Sequence, residues 1–363
     1  MTAQQTHRIT PDDQLVLLMH GHLTAGFGKM GLGLLRYSPA AVTAVVDRDH
    51  AGEDLRLLTG IPRDAPIVAT MAQALRHGGT ILAPGVAAPG GTLPPDYWPE
   101  IEEALAAGLS LVNGLHAPLA DNPRLKIRLR PGRWIWDIRQ EPEGLEPGLG
   151  RAAALPNTRI LTVGTDMGIG KMTASLEMHA AARSRGLRST FVASGQIGIA
   201  ISGDGVPVDA VRVDFASGAV ERSVLSAASD ADFLFIEGQG SILHPASTAW
   251  LPLIRGSCPT HMVLVHHAAS QSLHRLPEVA IPPLSKVVRL YEQVAAIAGA
   301  AQPPPRVAAI ALNTAGMSDA DAASAVESTE TNTGLPTADV LRGGAGKLVD
   351  AIIRCSGARP LSR

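Results

Sequence analysis

Apolar residues fall in short runs separated by stretches of helical character, and this alternation sets the first expectation. Residues 15–19 form an apolar run, a Gly-rich turn follows, residues 32–36 look helical, and residues 41–46 form a β-branched run. That order reads as strand, loop, helix and strand. Further runs at 66–69, 80–83 and 109–112 alternate with helical stretches at 71–77 and 97–107. A mostly parallel sheet is therefore expected in the first part of the chain. No repeat of solenoid period is present.

Between residues 140 and 157 the pattern breaks. Pro142, Gly144, Pro147, Gly148, Gly150 and Pro156 deny both helix and strand periodicity there. The spacing predicts a domain over 1–145 and a second over 146–363. In the second, residues 159–163 read as a buried strand, a Gly-rich loop follows at once, and residues 171–185 read as a helix stopped by Gly186. Strand-like runs recur at 189–193, 233–237, 261–266 and 307–312, which predicts another doubly wound sheet.

The loop Gly164-Thr165-Asp166-Met167-Gly168-Ile169-Gly170-Lys171 carries the clearest chemistry. Cradling a phosphate needs converging backbone N–H groups, glycines that let the backbone bend, and a helix N-terminus facing the anion. Gly164, Gly168 and Gly170 supply the bends, the helix opening at Lys171 supplies the dipole, and Lys171 adds a charge. Relative to G-x-x-x-x-G-K-[ST] the flanking glycines stand one residue further apart, and Met172 follows the lysine. The hydroxyl normally found there holds Mg²⁺ between the outer phosphates, which Met172 cannot do. Thr173 still offers a hydroxyl near the helix start. The loop thus suits a diphosphate better than metal-assisted γ-phosphoryl transfer, the bland alternative being an ordinary Gly-rich turn.

Composition narrows the classes. The 363 residues are 45% hydrophobic but only 3% aromatic, so the core must be built from Ala, Val, Leu and Ile, as in layered α/β proteins. A net charge of −2 provides no basic field, so nucleic acid is not expected as a partner. Cys258 and Cys355 lie far apart, arguing against a disulfide framework and a metal site. Residues 1–11 lack the layout of a signal peptide, and no apolar run approaches a membrane span. A cytoplasmic protein is expected, with oligomeric state, homo-oligomer included, left open.

A second glycine motif, Gly26-Phe27-Gly28-Lys29-Met30-Gly31, matches G-x-G-x-x-G and is trailed by Asp47, which on spacing alone reads as a dinucleotide site. The intervening His20-Gly21-His22-Leu23-Thr24 makes the turn longer than such a fingerprint requires. Lys29 could instead meet a substrate carboxylate.

Taken together, Val163 to Thr173, Ser194-Gly195-Gln196-Ile197-Gly198, Gly205-Val206-Pro207-Val208-Asp209-Ala210 and Ile236-Glu237-Gly238-Gln239-Gly240-Ser241 resemble the DgcN-type D-glutamate N-acetyltransferases, a P-loop family long catalogued as a domain of unknown function. His20-Gly21, Gly28-Lys29, Gly33-Leu34-Leu35-Arg36-Tyr37 and Trp134-Ile135-Trp136-Asp137 extend the resemblance over most of the chain. It implies an α/β fold with a Rossmann-like N-terminal domain followed by a P-loop doubly wound domain. The implied reaction is acetyl transfer from acetyl-CoA to the amine of an acidic amino acid, D-glutamate. The loop is also similar to that of dethiobiotin synthetase, which keeps open an ATP-dependent ligase or kinase using ATP with Mg²⁺; a nucleotide-binding sensor is the non-enzymatic alternative.

The reaction so implied needs a base for the ammonium and donors for the thioester oxygen. Glu237, at a strand's carboxyl end, is the first candidate for base or orienter, with Gln239, Ser194 and Gln196 as donors or substrate contacts. His244, His266 and His267 are alternative proton acceptors. Asp209 and Asp214 could orient an ammonium group. Asn313 could reach an adenine edge, as in folds similar to dethiobiotin synthetase. Arg36, Arg139, Arg255 and Arg275 are the cations available for substrate carboxylates, unranked by sequence.

Overall fold

The computed structural model describes residues 7–24, 26–87 and 91–356. The chain forms two compact units: Met1–Glu141 with Gln196–Ala210, and Pro142–Gly195 with Val211–Arg363. Each is organised around a six-stranded sheet.

In the first unit the strands are β1 (Gln14–Leu18), β2 (Ala41–Val46), β3 (Ile67–Val68), β4 (Ile81–Pro84), β5 (Ser110–Asn113) and β6 (Ile135–Asp137). Their order is β3-β2-β1-β4-β5-β6 with every pair parallel. This is the Rossmann strand order, and it reverses direction between β1 and β4, where such sheets open a crevice at their carboxyl edge. Parallel strands covered on both faces must be apolar throughout, and β4 and β5 are buried at every position. Val16, Leu18, Ala44, Val46, Leu82 and Leu111 of the sheet pack with Ile101, Ala104 and Leu105 of helix Tyr97–Ala107. Helix Gln196–Ser202 also belongs to this unit and packs on helix Lys29–Tyr37.

The glycines after β1 are spent on that packing. A Cβ on Gly28 would lie 2.0 Å from the His22 carbonyl, and one on Gly31 would lie 1.9 Å from Met19 Sδ. The Gly31 amide already donates to Gly85 O at 2.8 Å. Asp47 is fully buried and accepts the amide of Asp49 at 3.0 Å on Oδ1. His20 takes the Arg48 amide on Nδ1, so its Nε2 carries the proton donated to Glu100 at 3.2 Å. The His20-Gly21 motif is therefore a tie between β1 and helix Tyr97–Ala107.

In the second unit the strands are β7 (Thr158–Gly164), β8 (Ser189–Val192), β9 (Phe233–Ile236), β10 (His261–His267), β13 (Arg306–Asn313) and β14 (Thr337–Ala338). The order is β14-β13-β10-β7-β9-β8, again all parallel. A short antiparallel hairpin of β11 (Ser272–Leu273) and β12 (Leu276–Ala280) follows β10. The core is small-residue α/β packing: Ile160, Val263, Ala309 and Ala311 of the sheet meet Ala174, Met178, Ala182, Leu348 and Ile352 of flanking helices. Strand β7 sits between β10 and β9, so the loop leaving it emerges at the centre of the carboxyl edge.

Candidate functional site

Strand β7 ends at Gly164, and the fourteen-residue helix Lys171–Ser184 begins seven positions later in the numbering. Gly168 (φ +67°) and Gly170 (φ +107°) adopt left-handed backbone that a side chain would oppose, and they turn the chain into the helix. Space at Gly164 is tight, since a Cβ there would lie 3.0 Å from Lys171 Nζ. The first helical hydrogen bond runs from Ala174 N to Gly170 O at 2.9 Å. Among the described residues the amides of Gly168, Ile169, Gly170, Met172 and Thr173 therefore find no acceptor. Such a set of amides at a helix N-terminus has the geometry that can receive an anion.

The side chains around the loop hold its shape. Lys171 is buried and its Nζ donates back to Asp166 O at 2.7 Å. Asp166 accepts Met167 N at 2.6 Å and, through its other oxygen, His274 N at 2.5 Å. Thr165 shares a 2.9 Å hydrogen bond with Nδ1 of His266, whose pKa burial, aided by His267, pushes down to about 4. Tyr291 donates to Gly164 O at 2.8 Å. Thr165 and Asp166, expected at the cofactor, thus act by fixing the loop. Beside it opens a cleft of about 620 Å³ lined by Asp166 to Ile169, His267, Gln271, His274 and Arg275.

Strand β9 delivers the acidic motif. Buried Glu237 accepts Ser194 N at 2.9 Å and Gly195 N at 3.1 Å on Oε2, and Gln239 Nε2 at 3.0 Å on Oε1. Ser194 Oγ donates to Glu237 O at 2.7 Å. Both carboxylate oxygens are thus engaged by N–H donors, the arrangement of an orienting group. Gly238 is required because a Cβ would meet Thr162 O at 1.7 Å, and its amide donates to Thr162 Oγ1 at 2.9 Å. The acidic motif is in this way clamped against the base of the phosphate loop.

Several expected residues stand elsewhere. His244 donates from Nε2 to His274 O at 3.2 Å and accepts Ala246 N on Nδ1 at 3.1 Å, so both ring nitrogens hold backbone groups. Arg36 lies in the last turn of helix Lys29–Tyr37, about 10 Å along the axis from Lys29 and toward the opposite edge of the sheet from the ligand crevice. Asp214 is exposed in the first turn of helix Val213–Ala227, in the second unit, whereas Asp209 belongs to the first. Asn313 donates to Ile169 O at 3.1 Å and accepts Ala315 N at 3.0 Å, lining a cavity of about 70 Å³ with Gly170 and Thr173. Its amide therefore braces the loop.

In the first unit Lys29, Asp209 and Arg139 come together, with Arg139 Nη1 2.9 Å from Asp209 Oδ2. Gln196, buried, opens the helix packed on Lys29–Tyr37. Sequence reasoning missed His116, which pairs with Arg139, and Tyr291. The Trp-Ile-Trp-Asp motif was a pointer to the first of these. Asp137 accepts the amides of Leu119 and Ala120 and fixes the loop that carries His116. Among the described residues no group of three or more His, Cys, Asp or Glu could hold a metal ion, and no helix is long and apolar enough to cross a membrane.

The sequence matches the family described as a domain of unknown function (DUF1611_C) P-loop domain over residues 146–349, and its N-terminal Rossmann-like domain (DUF1611_N) over 48–141. A curated protein from Tritonibacter scottomollicae, named D-glutamate N-acetyltransferase, is 32% identical over 89% of this chain and 93% of its own. Another of that name, from a Pseudoalteromonas species, is 33% identical over 77% of this chain and 83% of its own. A crystal structure of a DUF1611 family protein from Anabaena variabilis superposes with a TM-score of 0.91 at 52% identity, covering 94% of this chain and all of that one. With both halves of the family architecture present in order, this chain belongs to the DUF1611 family.

Proposed function

We propose that this protein is an amino-acid N-acetyltransferase that moves an acetyl group from acetyl-CoA to the amine of D-glutamate. The observation that carries the reading is the set of unspent amides of Gly168, Ile169, Gly170, Met172 and Thr173 at a helix N-terminus beside an open cleft. It occurs in a chain whose curated relatives bear that activity in their names. Those amides, with Lys171, match the charge of a diphosphate-bearing carrier. Met172 supplies no hydroxyl for Mg²⁺, and acyl transfer from a thioester calls for none.

In the reaction the acceptor ammonium loses a proton, the amine nitrogen forms a bond to the acetyl carbon, and the carbon–sulfur bond breaks. The departing sulfur takes up a proton, and one proton is released to solution overall. Charge develops on the thioester oxygen, and an oriented N–H donor there lowers the barrier. Gln239, which donates one amide N–H to Glu237, is assigned this role through its second N–H. Glu237 orients Gln239 and the turn at Ser194 and Gly195.

The test is to mix purified protein with acetyl-CoA and D-glutamate, and separately with ATP and Mg²⁺. Free thiol and N-acetyl-D-glutamate appearing only when the amino acid is present support the reading. ADP release, or no thiol above background, overturns it.

A further inference from the structure

The first unit carries a charged cluster whose make-up is lopsided. Arg139 follows β6 by two residues and is 10% exposed at its side chain. Its Nη1 donates to Asp209 Oδ2 at 2.9 Å and to His116 Nε2. Because a guanidinium only donates, His116 must accept there and is the neutral tautomer. Burial, with Arg139 adding to it, lowers the His116 pKa in agreement. The Nε of Arg139 is buried and has no hydrogen-bond partner among the described residues. A buried charged donor left unmade is costly, and it marks a place where an acceptor belongs.

Lys29 adds a second cation. It is solvent-accessible at the first position of helix Lys29–Tyr37, whose first turn contains no acidic residue. A lysine beside the positive end of a helix dipole is placed against its own interest unless an anion joins it. Crowding by the surrounding protein, which thins its hydration, and then Arg139 lower its pKa, while Asp209 raises it, so the three groups share one field. With His116 neutral, Lys29, Arg139 and Asp209 sum to one net positive charge, and Asp209 keeps 36% of its side chain exposed.

We propose that this cluster is the acceptor site, where Arg139 and Lys29 hold the two carboxylates of an acidic amino acid and Asp209 holds its ammonium. The assignment rests on the acetyl-transfer reading above and names the part of the chain that recognises its acceptor. The amino acid carries two negative charges and one positive, the inverse of the cluster. Three charged contacts around one stereocentre also provide the minimum set that distinguishes D from L. The cluster therefore selects against D-glutamine, which lacks one carboxylate.

The test is calorimetric titration of D-glutamate into the full chain with saturating coenzyme A, for wild type, Lys29→Gln, Arg139→Gln and Asp209→Asn. The expected result is a loss of D-glutamate affinity of at least about tenfold in each variant. Coenzyme A affinity stays within about twofold, and preference over D-glutamine shrinks in the two cation variants. If buried Arg139→Gln does not fold, Lys29→Gln at its accessible position carries the test. Unchanged D-glutamate affinity and unchanged selectivity in Lys29→Gln, or no affinity in wild type, overturns the assignment. Wild type that binds D-glutamate through these residues but releases no thiol from acetyl-CoA sinks the transfer reaction alone. Turnover with an unaltered KM for D-glutamate in the variants sinks the acceptor site alone.

Discussion

The carboxylate of Asp166 reaches the backbone N–H of His274 at 2.5 Å and so ties the phosphate loop to the hairpin of β11 and β12. The same side chain caps Met167 N, which makes one buried residue responsible for both walls of the adjoining cleft. Asp166→Ala removes two hydrogen bonds to partly exposed amides, each contributing about 1 kcal/mol. The expected outcome is a lower Tm, faster proteolysis within residues 271–280, and a raised KM for acetyl-CoA with little change in KM for the amino acid. Equal proteolysis of variant and wild type contradicts it.

Glu237 acts through the groups it holds. Replacing it by Gln keeps the shape but puts an amide N–H where an acceptor is needed, opposite Ser194 N, Gly195 N or Gln239 Nε2. Glu237→Gln should lower kcat by about 100-fold, the order lost when one oriented donor is misplaced. The acid limb of the pH–rate profile should keep its position. A limb that disappears in the variant identifies Glu237 as the base instead.

Gly238 tests the clamp between the acidic motif and the loop. A methyl group there would stand 1.7 Å from the Thr162 carbonyl, and backbone on both sides cannot yield cheaply. Gly238→Ala is expected to destabilise the protein by about 3 kcal/mol or more, the upper range for overpacking. Denaturant titration reads this directly, and a midpoint matching wild type refutes the packing argument.

His266 gives a pH dependence of known sign. Its folded pKa of about 4 lies below the ordinary value of 6.5, so between those limits the unfolded chain binds a proton that the native protein does not. Stability is therefore full above pH 6.5 and declines as pH falls toward 4. The size is about 3 kcal/mol from this residue. Burial also lowers His179 and His261, which add slope of the same sign. His266→Gln should flatten the decline across this window, and an identical pH–stability slope contradicts the assignment.

The two parallel sheets and the phosphate loop are legible in the sequence because they rest on local signals: apolar runs, glycines and a lysine at a helix start. Helix Lys171–Ser184 starts where the pattern places it, and helix Lys29–Tyr37 starts three residues before the apolar run suggests. The two-residue strands β3 and β14 and the hairpin carry too few positions for a period to register. Residues 196–210 join the first unit through packing on helix Lys29–Tyr37, a contact between segments remote in the chain that no local pattern encodes. The same holds for the site. Lys29 and Asp209 are singled out by motif, but Arg139 rises above Arg36, Arg255 and Arg275 only once its burial and its partner Asp209 are known. His244 is equally visible as a titratable residue, but that its two nitrogens meet backbone groups is seen only in the fold.

We propose that amides at a glycine-bent strand-to-helix junction, helped by Lys171, grip the diphosphate of an acyl carrier. Calorimetric titration of coenzyme A into wild type and Lys171→Ala addresses it most directly. The expected result is binding by wild type and an affinity about 10- to 100-fold weaker in the variant, the range of a charge-assisted hydrogen bond. Equal affinity in the two proteins contradicts it.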